Sequence, residues 1–169
     1  AMIGFLTHAG YAHGGNGFEG IAFLLERFAG TGLVDPGDPA HGVDLDALAR
    51  EYAVAFAELK TTRKELGADR ATIPCINHPV FKGKDVNVDP REEFVRTVMA
   101  QRGDYNVFHD YYRRLVVALR DAGATTNVFC VNVDALIATG LLKMLWSRYR
   151  DGSFTEAQLE NAAFTVFLF

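Results

Sequence analysis

The sequence lacks the features that mark secreted and membrane proteins. Its only two cysteines, Cys75 and Cys130, each lie within apolar sequence, which favours buried, reduced thiols in a cytosolic protein over a disulfide. No apolar run reaches the roughly 18 residues that a transmembrane helix needs. No basic segment precedes the apolar residues at the N-terminus, as it would in a signal peptide. We therefore expect a cytoplasmic protein without a membrane partner.

The sequence also lacks an excess of positive charge and the common catalytic and metal motifs. The net charge of -4 does not indicate a nucleic-acid partner, so an anionic ligand would have to be bound by local basic groups. The five histidines are not spaced with cysteines as metal ligands, and no G-x-S-x-G elbow is present, so we expect no metal site. The 169 residues are 49% hydrophobic and 22% charged, which is typical of a globular domain or of one piece of a larger protein.

Apolar residues recur at helical spacing in six segments, and no segment is a convincing sheet. The predicted helices cover residues 18–30, 44–66, 89–103, 106–122 and 132–146, with a sixth that begins near residue 155. Several starts carry a capping residue, such as Asp44 before the second helix and Asp89, followed by Pro90, before the third. The pattern predicts an all-α fold.

The longest nearly uncharged stretch, residues 126–146, contains a carboxylate, Asp134. The β-branched residues 128–131 favour an extended segment, after which Asn132 can cap an apolar helix. Asp134 would then lie in the first turn, where the helix dipole favours negative charge. An ionised carboxylate in apolar surroundings is costly unless it is paired or used. Asp134 is therefore either a helix-capping residue or a functional one.

Two further stretches place histidines where a ligand could be bound. His13 lies in a glycine-rich segment that leads into the first helix, although the spacing matches no phosphate-binding motif. His78 lies in a loop bracketed by prolines and followed by Lys82 and Lys84. Taken singly, His13 could equally be a loop histidine that bonds to backbone groups. Arg91, which follows Asp89 and Pro90, could equally be an ordinary residue of the first helical turn.

In this order the three stretches resemble the citrate synthase superfamily. Residues 13–19, HGGNGFE, are similar to the family's H-G-G-A-N segment. Residues 77–80, NHPV, followed by DPR at 89–91, are similar to its G-x-G-H-x-V and D-P-R segments. Residues 132–135, NVDA, match its N-V-D motif, and the following GSFT turn is similar to the citryl-CoA lyase branch. The resemblance implies that residues 1–169 form the small, coenzyme-A-facing domain of a longer enzyme, with most of the large domain absent.

The resemblance also implies roles for individual residues. Asp134 would remove a proton from the methyl group of acetyl-CoA, and His13 would donate a hydrogen bond to the thioester oxygen. His78 would protonate the ketone oxygen of oxaloacetate as the carbon–carbon bond forms. Arg91 would bind a substrate carboxylate, because a guanidinium fork matches its geometry. The lysines that follow His78 would bind the coenzyme A phosphates.

The expected activity is thus that of a citrate synthase-like acyltransferase, with acetyl-CoA or another acyl-CoA and oxaloacetate or citrate as ligands. Coenzyme A would be part of a substrate, and no tightly bound cofactor is expected. The same groups would serve a citryl-CoA lyase, and the altered surroundings of His13 and His78 leave open a non-catalytic domain that binds coenzyme A or a protein. We expect a homodimer or larger homo-oligomer at full length. The apolar C-terminal face, residues 164–169, should be buried against another chain or a segment missing from this sequence.

Overall fold

The computed structural model describes residues 15–69 and 71–166. This part of the chain contains six helices and no regular strand, which confirms the predicted all-α class. The helices are α1 (Asn16–Phe28), α2 (Leu45–Glu65), α3 (Pro90–Arg102), α4 (Val107–Asp121), α5 (Val133–Arg150) and α6 (Glu156–Val166). No described helix is both long and apolar enough to cross a membrane.

Side chains at the helix starts explain where the helices begin. The Asp44 carboxylate accepts a hydrogen bond from the Ala47 N–H, and the Asn132 side chain accepts two from the first turn of α5. At α6 two caps were possible, Ser153 and Thr155, and it is Thr155 that exchanges hydrogen bonds with Gln158 in a capping box. These bonds satisfy backbone donors that a helix start leaves without a partner, so the boundaries follow closely from the sequence.

Helix α1 lies at the centre of the core. It packs against α5 and α6, while α2 packs against α4. The aromatic residues of α1 join these pairs, because Phe23 stacks on Tyr112 of α4 and makes an edge contact with Tyr52 of α2. The ring of Phe28 makes a similar edge contact with Phe108. Helix α1 therefore joins the α2–α4 pair to α5 and α6.

Two short extended segments connect the long loop before α3 to the segment before α5. Ile76 forms an antiparallel bridge with Val131, and Val86 forms a parallel bridge with Val128. Backbone hydrogen bonds join Asn77 N–H to the Cys130 carbonyl at 2.7 Å and Asn132 N–H to the Cys75 carbonyl at 3.1 Å. The loop that carries His78 is thereby held beside the start of α5.

Helix α3 has the predicted bounds but does not bury its apolar residues. Phe94 is 69% exposed, whereas Glu92 is only 3% exposed. The Glu92 carboxylate lies 3.0 Å from His109 Nε2 and within 3.4 Å of both Arg96 and Arg113. Sequence periodicity did not indicate this buried charged cluster, because periodicity follows apolar residues and the buried residue here is a glutamate.

Candidate functional site

The start of α5 is fixed by two neighbouring side chains. Asn132 is buried, and its Oδ1 accepts hydrogen bonds from the N–H groups of Asp134 and Ala135 at 3.0 and 3.2 Å. The Val133 N–H donates to the buried carboxylate of Asp89 at 3.2 Å. These bonds fix the backbone of the first turn of α5. The half-buried side chain of Asp134 is therefore attached to a rigid backbone.

Asn16, at the start of α1, connects Asp134 to the 71–78 loop. Its Oδ1 accepts a hydrogen bond from the Cys75 N–H at 2.9 Å, and its Nδ2 donates one to Asp134 Oδ2. A backbone N–H can only donate, so the bond from Cys75 determines which end of the Asn16 amide is oxygen. The amide nitrogen is consequently directed at the carboxylate.

Cys75 itself is fully buried and adopts an uncommon backbone conformation, with φ at 67°. Its Sγ lies 3.4 Å from the Asn16 carbonyl. A Cβ built on Gly20 would lie 2.4 Å from this sulfur, so the close approach of the loop to α1 requires glycine there. Burial, together with the nearby Asp134, raises the pKa of the Cys75 thiol, so Cys75 is a packing residue and not a reactive thiolate.

His78 faces the same region from the loop. Its Nδ1 accepts a hydrogen bond from the Val80 N–H at 3.1 Å, so the neutral imidazole carries its proton on Nε2. Its ring stacks on Phe81 at a centroid distance of 4.6 Å, and Phe81 also lies 5.6 Å from the Arg91 guanidinium. One aromatic side chain therefore packs against both the histidine and the arginine.

Arg91 is tied to its neighbour Asp89. Its Nε and Nη2 donate to the two Asp89 oxygens at 2.9 and 2.7 Å. These hydrogen bonds raise the pKa of Arg91, to which the charge of Asp134 also contributes. Burial alone would raise the pKa of Asp89, but the bonds from Arg91 and Val133 lower it overall. The Asp89 contact does not use the Nη1 group of Arg91, which can bind an anion.

These residues surround one cleft of about 540 Å³, within the size range of small-molecule sites. Asn16, His78, Arg91 and Asp134 all line it, together with Glu19. The cleft thus combines a carboxylate, an imidazole N–H donor and part of a guanidinium group. Such a set can remove a proton from a substrate carbon, donate a hydrogen bond and bind a negative charge.

The predicted site residues have different outcomes. His78, Arg91 and Asp134 come together in the cleft, although they lie far apart in sequence. His13 lies outside the described residues. The side chains of Lys82 and Lys84 are exposed and do not line this cleft. The roles of all six residues remain predictions.

Sequence reasoning missed Asn16 and the full role of Asp89. Asn16 lies within the glycine-rich segment that precedes α1, but its partners are 59 and 118 residues away. Asp89 is the predicted cap of α3, and it does accept from the Arg91 N–H at 3.0 Å. Nothing local indicated that it also binds the start of α5, since that contact depends on how α3 and α5 pack.

Within residues 15–69 and 71–166, no three histidine, cysteine or acidic side chains are grouped so that they could bind a metal ion. Comparison with known proteins identifies no relative, because no protein-family model, no curated protein and no solved structure matches the chain.

Proposed function

We infer that the protein is a citrate synthase-like acyltransferase that joins an acyl-CoA to an oxo acid such as oxaloacetate. The observation that carries this proposal is that Asp134 and His78 line one cleft, with Nδ1 of His78 accepting a hydrogen bond from the Val80 N–H. Carbon–carbon bond formation at a thioester needs a base for the α-proton and an acid for the accepting carbonyl. The cleft supplies one side chain suited to each role.

In the proposed reaction the Asp134 carboxylate takes a proton from the α-carbon of the thioester. The resulting enolate carbon attacks the ketone carbon of the oxo acid, and the ketone oxygen takes the proton from His78 Nε2. Asp134 has then gained one proton and His78 has lost one, so return of a proton from Asp134 to His78 through water restores both groups before the next turnover. A thioester α-proton is weakly acidic, so the enolate oxygen also needs a donor, for which His13 is proposed.

Arg91 would bind a carboxylate of the oxo acid through the Nη1 side of its guanidinium group. Because Asp89 occupies the Nε side, this contact would differ from a full bidentate clamp. Lys82 and Lys84 would bind coenzyme A phosphates from outside the cleft. Citryl-CoA cleavage uses the same groups in reverse, so the direction of the reaction stays open in this proposal.

The engaged guanidinium of Arg91 favours a second candidate, a non-catalytic domain that binds coenzyme A or a protein. In that case the Arg91–Asp89 pair would be structural, and Asp134 would act only at the start of α5. Exchange of the acetyl-CoA methyl protons with deuterated water separates the two candidates, since a binding domain does not catalyse it.

The test uses the full-length enzyme that the resemblance implies. Asp134→Ala should lower the exchange rate of the acetyl-CoA methyl protons by about 10²–10⁴-fold, the usual contribution of a general base. His78→Ala should spare this exchange better than it spares condensation, because its proposed partner is the second substrate. Thr72→Ala, at an exposed residue of the same cleft, is the matched control. An Asp134→Ala rate within about threefold of wild type contradicts the mechanism.

The 169-residue chain alone should bind coenzyme A weakly and catalyse no measurable condensation. In the proposed family the site lies between two domains, and one domain cannot exclude water from the site by itself. Isothermal titration calorimetry and a citrate assay on the isolated chain test this expectation. Robust citrate formation by residues 1–169 would show that the cleft needs no second domain.

A further inference from the structure

We propose that Asn16 is a positioning residue that orients the Asp134 carboxylate toward the cleft. This inference rests on the proposed function for its catalytic consequence. The structural part stands on the two hydrogen bonds of the Asn16 amide, one accepted from the Cys75 N–H at 2.9 Å and one donated to Asp134 Oδ2. Neither bond was indicated by the sequence.

The Asn16 amide is itself held in place from several directions. Its residue begins α1, whose body is buried in the core. The Cys75 N–H fixes the amide oxygen, and the Cys75 sulfur packs against Gly20 one turn further along α1. Rotation of the amide would leave the Cys75 N–H opposite another donor. The Asn16 side chain is therefore a preorganised donor for one carboxylate oxygen of Asp134.

A fixed donor on Oδ2 has two consequences for a carboxylate base. It stabilises the ionised form, because an N–H bonds more strongly to a carboxylate than to a carboxylic acid. It also fixes the orientation of the carboxylate group relative to the cleft. Among residues 15–69 and 71–166, the charged or titratable groups near Asp134 include Glu19 on α1, Cys75 and His78 in the loop, and Arg91 on α3.

Two substitutions separate orientation of Asp134 from support of the loop. Asn16→Ala removes both hydrogen bonds. Asn16→Asp keeps an oxygen that can accept from the Cys75 N–H but loses the donor to Asp134. Asn16→Asp also places a second carboxylate beside Asp134, which raises the Asp134 titration midpoint by like-charge repulsion. A rise in Asn16→Ala, which adds no charge, is therefore the result that identifies the lost hydrogen bond. Thr72→Ala serves as the matched control, because Thr72 is an exposed residue that lines the same cleft.

The first readout is the titration of the Asp134 carboxyl carbon by NMR in the 169-residue chain, assigned with Asp134→Asn. We expect the titration midpoint to rise by about half a pH unit or more in Asn16→Ala and further in Asn16→Asp, as loss of a hydrogen bond to the ionised form requires. Thr72→Ala should leave it unchanged. If Asn16→Ala does not fold, Asn16→Leu, which is similar in size and adds no charge, replaces it. A midpoint within about 0.2 pH unit of wild type in a folded Asn16 variant overturns the proposal.

The second readout is proton exchange from acetyl-CoA in the full-length enzyme. We expect Asn16→Ala to lower kcat for exchange about tenfold or more with little change in KM, and to move the acidic limb of the pH–rate profile to higher pH. A variant that changes KM alone would overturn the positioning role. If the wild-type enzyme catalyses no exchange, the proposed function fails, while the carboxyl titration still tests the contact between Asn16 and Asp134.

Discussion

At the scale of single residues, the Cys75 sulfur leaves no room for a side chain at Gly20. A Cβ on Gly20 would lie 2.4 Å from the Cys75 sulfur and 3.5 Å from the Ala138 side chain. Real atoms cannot approach a sulfur as closely as the first of these distances, so a larger residue at position 20 must displace the loop that carries Cys75 and His78. The position of the loop beside the cleft therefore depends on the absence of a side chain at Gly20.

Gly20→Ala should destabilise the chain by about 1–3 kcal/mol, the usual cost of overpacking. Cys75→Ala removes the clashing sulfur, so the double variant should recover part of this loss. The matched control is Gly140→Ala, within α5, because a Cβ added to Gly140 would meet no atom of another segment within 4 Å. That change should be neutral or stabilise by up to about 1 kcal/mol. Urea unfolding measures all four variants, and additive effects of Gly20→Ala and Cys75→Ala would rule out the clash.

The buried Glu92 is the second residue with a clear energetic role. Burial alone would raise its pKa, but the hydrogen bond from His109 and the charges of His109, Arg113 and Arg96 lower it overall. A carboxyl whose pKa is lower in the folded state stabilises the fold above its unfolded pKa of about 4.3. This contribution is lost as the pH falls through the folded-state pKa.

Glu92→Gln should lower the free energy of unfolding by about 1–3 kcal/mol at about pH 7, because it removes a charged hydrogen-bond acceptor from a buried cluster. The difference from wild type should shrink as the pH falls below about 4, where the wild-type carboxyl also becomes neutral. Urea unfolding at a series of pH values measures this. Glu93→Gln, at an exposed neighbour, should have little effect at any pH. A difference that is independent of pH would contradict the ionised state of Glu92.

At the scale of helices, one aspartate joins the starts of α3 and α5. The Asp89 carboxylate accepts from the backbone N–H groups of Arg91 and Val133 and from the Arg91 side chain. Asp44 also caps a helix, but its carboxylate accepts only a local bond, from the Ala47 N–H, within the described part of the chain. The two residues have the same local sequence role and differ in their tertiary contacts.

Asp89→Ala should therefore destabilise the chain by about 2–5 kcal/mol, since it leaves buried backbone donors and a guanidinium group without their acceptor. Asp44→Ala, the matched control, should cost only about 1 kcal/mol, as for an ordinary exposed cap. Urea unfolding compares the two variants directly. Equal losses would show that the contact between Asp89 and the start of α5 contributes nothing to stability.

The comparison of Asp44 with Asp89 also shows which features of the fold could be predicted from the sequence. Caps such as Asp44 and Asn132 act within a few residues, so the local pattern predicted the six helices and the starts that these caps fix. The contacts of Asn16 and Asp89 depend on how separate helices pack, and a single sequence contains no such information. The charged cluster around Glu92 was missed for the same reason, because burial of a polar helix face cannot be derived from hydrophobic periodicity.

At the scale of the whole molecule, the cleft forms where distant parts of the chain meet. Asn16 comes from the start of α1, His78 from the loop before α3, Arg91 from the start of α3 and Asp134 from the start of α5. The charged and polar groups of the cleft are thus concentrated at helix starts, where fixed backbone geometry positions side chains well. Because fixed helix starts position these side chains, the geometry of the cleft supports the proposal that it is a binding site.

The apolar residues of α6 lead to a last prediction, on self-association. Residues 167–169 of the predicted apolar face lie outside the described part of the chain, but Phe164 and Val166 are 36% and 44% exposed. The helix that carries them also packs against α1. Burying a phenylalanine side chain contributes roughly 1.5–3 kcal/mol, so we expect two chains to associate through this face. Phe94 on α3 is a second exposed phenylalanine and provides a matched control.

Sedimentation velocity at a series of concentrations should show reversible association of the 169-residue chain. Phe164→Ser should raise the dissociation constant about tenfold or more, because a loss of about 1.4 kcal/mol corresponds to a factor of ten. Phe94→Ser should leave the dissociation constant unchanged. A wild-type chain that stays monomeric at all concentrations would contradict association through α6. A larger effect of Phe94→Ser would instead place the contact on α3.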